Sequence, residues 1–349
     1  MLYIGLDVHS KSTTAKWLDA STGDTHTEKV PNDIDSLGKF FNGLEGPLFG
    51  AMESGTNSWS IYRNIESHFA ELVVIDPATV WGKTIRRGAK TDERDALGLA
   101  LKMQRGELIP LYVPDKETQD LRCLTRARIN ATRHVTKLVN EICSLLKSWG
   151  IVAKCSLLSK VGKKLIEESR LRLPEQSLKV FDMWIRLLNQ AIEVEDELER
   201  TIKSIAAKDE VCQLLMSIPN VGAFTALVIR AEIGDINRFE CFEQLVSYCG
   251  LSPMVYQSGD NIHYGKLNRA CNRFLKYVII LRAQSMSAMK EPNPFKSTYW
   301  RMTIKGKNNA KLAVARQLIR VIFRMLKSKE RWNASKINDR RALSASKVA

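Results

Sequence analysis

The stretch MLYIGLDVHSKSTTAKWLDASTGDTHTEKV, residues 1–30, decides how the chain begins to fold. LYIGLDV (2–8) is a short apolar run that closes on an acid, TAKWLDA (14–20) is a second run, and the turn STGD leads into THTEKV (25–30). Runs this short, separated by turn residues, predict three consecutive antiparallel strands. Outward from them, NDIDSLGKFFNGL opens on Asn and Asp, carries Leu37, Phe40, Phe41 and Leu44 on one face and ends on glycine, which predicts a helix. PLFGAMES then reads as a strand ending at Glu53, SWSIYRNIES as a helix, and AELVVIDP as a buried strand closed by Pro77. After the basic segment WGKTIRRGAK, Thr91 or Asp92 can cap a further helix, DERDALGLALKMQRG.

Three strands, helix, strand, helix, strand, helix is the order of an α/β ribonuclease-H-like domain, here residues 1–112. That topology makes the strands ending in Asp7 and Glu53 neighbours. Asp92 and Asp95 are three apart on a helix and share a face. Packing that face across the strand ends gathers four carboxylates, an arrangement that raises their pKa values unless cations neutralise it. Oxygen-only ligation suits Mg²⁺ or Mn²⁺, and two such ions about 4 Å apart can act on a phosphorus centre. Each acid also has a plainer reading: Asp7 and Glu53 as turn residues, Asp92 as a favourable charge at a helix N-terminus.

From residue 113 to 208 strand signals vanish. Leu121, Leu124, Arg128, Ala131, Val135, Leu138, Ile142, Leu145 and Trp149 recur at steps of three and four, as do Phe181, Trp184, Leu188, Ala191, Glu195, Leu198, Ile202 and Ile205. Two heptad-like helices follow, either an antiparallel hairpin or an intermolecular coiled coil, with Arg128 and Glu195 as charged intruders at core-like positions. Residues 209–329 begin with LLMSIPNVGAFTALVIRAEIGD, which resembles a helix-hairpin-helix or is a simple turn between helices. In the first reading Gly222 admits a phosphate to backbone amides. A polar segment, MVYQSGDNIHYGKLNRACN, precedes the apolar helix RFLKYVIILRAQSM and an amphipathic helix at 311–327. Residues 330–349 lack periodicity and read as a basic, disordered tail.

The 349 residues carry a net charge of +15, unevenly placed. Residues 1–110 hold 12 basic and 15 acidic side chains, whereas 286–349 hold 16 and 3. A strongly basic C-terminal portion points to a polyanion partner. Seven cysteines, never in a C-x-x-C pair, indicate neither a disulfide framework nor zinc and fit a reducing cytoplasm. No apolar run is long enough to span a membrane, and the N-terminus does not read as a signal peptide.

YIGLDVHSK, AMES, KTDERDA, SIPNVG, AEIGDINRF, SYCGLSP and QSG, in this order, resemble the DEDD insertion-sequence transposases grouped with the Piv-type DNA invertases. The resemblance implies a RuvC-like N-terminal domain, a coiled-coil middle and a C-terminal transposase domain. It places the family's acidic tetrad on Asp7, Glu53, Asp92 and Asp95, and its nucleophilic serine on Ser258, which the residues alone would make a turn former. It further implies a phosphoserine intermediate, a bacterial cytoplasmic recombinase acting on element ends and target DNA, recognition guided by a non-coding bridge RNA, and a dimer or tetramer with a composite active site. Arg126, Arg133, Lys266, Arg269 and Arg273 join Gly222 as candidate nucleic-acid contacts. Near them the pattern departs from the family, with Cys271 where a glycine is expected and Lys276 where an arginine is. Two rival readings are a RuvC-type, junction-resolvase-like nuclease that uses water, and a non-catalytic nucleic-acid-binding protein. A sugar-kinase or actin-like ATPase would also begin with a strand ending in Asp and three strands, but it needs a second phosphate-binding hairpin and a Gly-rich adenosine site, and the sequence offers neither.

Overall fold

The computed structural model describes residues 1–77, 92–258 and 261–334, and divides the chain into two compact units, Met1–Pro114 and Asp115–Ala349. In the first unit β1 (Leu2–Val8), β2 (Ser12–Asp19) and β3 (Thr25–Pro31) form an antiparallel meander. Helix α1 (Ile34–Asn42) leads to β4 (Leu48–Glu53), and α2 (Ser58–Ile65) to β5 (Glu71–Ile75). The sheet order is β3-β2-β1-β4-β5, with β4 parallel to both β1 and β5. The sequence-predicted succession of elements is therefore present as a mixed sheet with helices.

The two faces of the sheet bury different things. Leu2, Ile4 and Leu6 alternate with Tyr3, Gly5 and Asp7, and the first set packs with Leu48, Met52, Leu37, Phe41, Ile61 and Ile65 under α1 and α2. On the opposite face lies α3 (Asp92–Gln104), whose Leu99 packs with Ala51, Val73 and Ile75. Gly5 makes this crossing possible, because a Cβ there would collide with the Ala96 carbonyl oxygen.

The second unit is mainly helical. Helices α4 (Lys116–Ser148) and α6 (Glu175–Lys208), linked through α5 (Lys160–Arg170), pack as an antiparallel hairpin within one chain. Val135, Ile142 and Leu146 meet Leu188, Ile185 and Phe181 in its core. The two charged intruders answer each other: Arg128 lies 2.6 Å from Glu195 and 3.1 Å from Glu199. Nearer the helices' other ends, Leu121, Ile129, Ile202 and Ala206 share a core with α7 (Glu210–Met216), α8 (Ala223–Ile233) and α9 (Phe242–Tyr248).

Between α9 and α10 (Arg273–Ala288) the chain forms a two-stranded antiparallel sheet, β6 (Pro253–Ser258) and β7 (Asn261–Leu267), where the sequence reading has only a polar segment. Helices α11 (Pro294–Met302) and α12 (Lys307–Ser328) complete the unit. The expected free tail is shortened at its start: Trp332 stacks on Phe295 with ring centroids 5.4 Å apart and donates its backbone N–H to Ser217 Oγ at 3.0 Å. The rest of that expectation, residues 335–349, lies outside the described residues, as does the basic segment ending in Lys90 and Thr91. Among the described residues no helix is long and apolar enough to cross a membrane.

Candidate functional site

Asp7 and Glu53 end adjacent parallel strands. The register pairs Leu6 with Met52, so the next residue on each strand is the acid. By the two-residue period of a strand, Asp7 shares its face with Gly5, and Glu53 shares its face with Ala51. That is the face α3 crosses, with Asp95 beside Ala96, the residue that sits against Gly5. Asp95 is half-buried, while Ala96, Leu99 and Ala100 are buried beneath the helix. Three of the four expected acids are thus set on one side of the sheet by the strand period and by the absence of a side chain at residue 5. Asp92 begins α3 one turn before Asp95; its side chain lies outside the described residues.

Among the described residues no three of His, Cys, Asp and Glu stand close enough together to hold a metal ion. The chemistry of the donor set nevertheless fits a hard divalent cation, since Asp7, Glu53 and Asp95 offer only carboxylate oxygens. One neighbour escaped the sequence reading. His9 Nε2 lies 3.4 Å from Asp7 Oδ2, and the hairpin holds the residue because its backbone N–H donates to Ser12 O at 3.0 Å. The D-x-H spacing in LDVHS carried that signal, because residues two apart on a strand share a face.

Ser258 is the last residue of β6 and pairs with Asn261 across residues 259–260; its side chain and those two residues lie outside the description. Both feet of this hairpin are fixed by a buried polar cluster that the sequence did not announce. Glu232, on α8, is fully buried. Arg126 from α4 donates to both its carboxylate oxygens, Nε to Oε1 at 2.7 Å and Nη2 to Oε2 at 2.8 Å, and Asn272 Nδ2 donates to Oε2 at 2.7 Å. Arg122 reaches the backbone carbonyls of Ala231 and Glu232 at 2.8 and 3.0 Å. Tyr248, at the end of α9, donates its hydroxyl to Glu232 O at 3.0 Å, and Asn272 in turn caps α10 by accepting from Leu275 N at 2.9 Å. Chain leaves Tyr248 toward β6 and returns from β7 to Asn272, so one acid ties down both ends of the strand pair. Cys271 lies against Gly250, whose positive φ of 64° and missing Cβ make room for the thiol. The departure from the family pattern is therefore accommodated by a neighbouring glycine.

The candidate nucleic-acid contacts divide. Arg126 is taken up by Glu232, and that hydrogen-bonded carboxylate raises its pKa further; its guanidinium also lies 4.6 Å from the centre of the Phe274 ring. Arg133 is exposed, holds Asn130 at 3.2 Å and lines a surface groove with Lys137, Asn140 and Tyr277. Lys266, Arg269 and Arg273 are exposed on β7 and the approach to α10. Gly222 caps α8 with an ordinary φ of −93° and open space where a Cβ would be, whereas Asn220 carries the turn's positive φ of 64°. Asn220 is held by Ser285 at 2.8 Å and by Arg282, which donates to its carbonyl at 3.3 Å.

Comparison with known proteins matches both units. A DEDD transposase model of the IS110 type matches residues 4–150, and one described as transposase IS116/IS110/IS902 family matches residues 212–300. The transposase for insertion sequence element IS1111A of Coxiella burnetii is 27% identical over 288 residues, 80% of this chain and 77% of that one. An uncharacterized 43.6 kDa protein of insertion element IS110 from Streptomyces coelicolor is 36% identical over 133 residues, 37% of this chain and 32% of that one. An uncharacterized 44.8 kDa protein of insertion element IS116 from Streptomyces clavuligerus is 22% identical over 94% of this chain and 95% of its own length.

Proposed function

Because the chain belongs to the DEDD insertion-sequence transposases of the IS110/IS116 type, we propose that it cuts and rejoins DNA at the ends of a bacterial mobile element through a phosphoserine intermediate. The observation that supports a catalytic first unit is the placement of Asp7 and Glu53 on adjacent parallel strand ends, facing the helix that carries Asp95. This is the reading of residues 1–112 as a RuvC-like domain, followed by a helical region to 208 and a transposase domain to 329. Asp7, Glu53, Asp92 and Asp95 are proposed to hold Mg²⁺ or Mn²⁺. Such an ion, when bound, supplies charge stabilisation at a transferring phosphoryl group.

The chain's own part is nucleophile and placement. Attack by the Ser258 hydroxyl forms one O–P bond while a backbone P–O bond breaks, the serine proton is lost, and a strand end leaves as a hydroxyl. Attack of a strand-end hydroxyl on the phosphoserine reverses these changes, so the number of phosphoester bonds is conserved and no nucleotide is consumed. Target choice is assigned to base pairing with a non-coding RNA, and assembly to a homo-oligomer. The test is an in vitro strand-exchange reaction resolved on denaturing gels. Ser258→Ala is expected to abolish both exchange and the covalent protein–DNA adduct, and Asp7→Asn or Glu53→Gln to lower the rate by at least about a hundredfold. Continued cutting by Ser258→Ala with no adduct in either protein would move the reading to a water-using nuclease. Sequencing copurifying RNA tests the guide separately, with one discrete non-coding species expected.

A further inference from the structure

In the second unit, an exposed indole sits in a stretch of chain rich in basic residues. From Pro292 to Lys329 the chain contains no Asp or Glu, and Lys296, Arg301, Lys305, Lys307 and Lys311 crowd the first half of that span. Helix α11 is anchored there by packing and by its cap. Phe295 is fully buried against Trp332, Pro294 opens the helix, and Asn293 caps it by accepting from Lys296 N at 2.9 Å. Trp300 is five residues past Phe295, hence on the other side of the helix, and is 62% exposed; Ile304 follows one turn later at 94%. The Trp300 ring is braced edge-on by Tyr299 at 5.7 Å, and Tyr299 is itself packed on the core. Its carbonyl accepts from Thr303 Oγ1 at 2.8 Å, which tightens the turn leading to Ile304.

A lone exposed apolar residue needs no explanation, but tryptophan is among the most buried side chains on average. A braced indole among lysines and arginine, with no carboxylate in the surrounding segment, matches an unpaired base flanked by phosphates: the ring supplies a stacking face and the cations meet the backbone. A duplex hides its base faces and would use only the charge. We propose that Trp300 is a stacking platform for an unpaired nucleobase of single-stranded nucleic acid, with Arg301, Lys305 and Lys307 meeting the flanking phosphates. The site is independent of the acidic cluster and of Ser258, so it stands or falls apart from the catalytic reading.

The experiment measures binding of full-length protein to a fluorescent oligothymidylate, an oligouridylate of equal length, and a matched DNA duplex, with circular dichroism as a check of folding. Trp300→Ala is expected to weaken single-strand binding roughly five- to hundredfold while leaving duplex binding unchanged, and Trp300→Phe to restore most of the loss. Neutralising Arg301, Lys305 and Lys307 to glutamine is expected to flatten the salt dependence of single-strand binding by about two units of log–log slope. The thymidylate and uridylate arms identify whether DNA or RNA supplies the base. Unchanged single-strand affinity in Trp300→Ala, an equal loss on single strand and duplex, or a change confined to oligomeric state overturns the proposal.

Discussion

Glu232 has no solvent to stabilise its charge, and its two carboxylate oxygens are instead occupied by Arg126 and Asn272. Removing one partner from a buried ion pair leaves the other charge stranded, which costs about 3–5 kcal/mol, whereas an amide of the same shape keeps part of the hydrogen bonding. Glu232→Ala is therefore expected to lower unfolding free energy by about that amount in urea denaturation, and Glu232→Gln by clearly less. Equal losses for the two variants would mean that the charge, not the shape and hydrogen bonding that an amide retains, is what the site needs. In sequence this residue was invisible as a keystone, being one acid inside the apolar run ALVIRAEI, with partners drawn from a helix 106 residues earlier. Arg128 and Glu195 were legible as oddities in a heptad, but only their pairing across the hairpin explains them.

At the level of elements, the long helix α4 starts on a cap that can be tested alone. Asp115 accepts from Thr118 N at 2.6 Å, and that hydrogen bond lowers its pKa below the usual carboxylate value. A depressed folded-state pKa means the stabilisation is complete above the unfolded value, about 3.9, and is lost as pH falls below it. Asp115→Ala is expected to cost about 1 kcal/mol at neutral pH, with the difference from wild type shrinking in acid. A gap that persists undiminished at low pH would exclude the charged cap. The acids of the first unit were readable because strand period and element order act locally. The β6–β7 hairpin was not, because Met254, Val255 and Tyr256 run together without an apolar–polar alternation; the two-residue spacing across Ser258 and Asn261 was the available sign. Helix α11 was missed for a different reason: it is short and has one fully buried side chain, Phe295, so no apolar period announces it.

For the molecule as a whole, the acid-poor C-terminal portion and the nearly balanced first unit predict how binding responds to salt. If five or more cations meet duplex phosphates, log affinity is expected to fall with log salt at a slope of about −4.5 or steeper, measurable by fluorescence anisotropy over a salt series. A shallow slope would place recognition elsewhere than on the exposed lysines and arginines. The bond from Arg126 to Glu232 carries one more consequence, in time. It joins positions 106 residues apart, and Arg122 to Ala231 spans 109, so neither can form until the hairpin helices and α8 have found one another. Loop closure on that scale must precede the contact that rewards it, which puts the cluster late in folding. Weakening it should then leave the refolding rate nearly untouched and show itself as faster unfolding, so the hold on the serine hairpin acts as a kinetic lock on the finished fold.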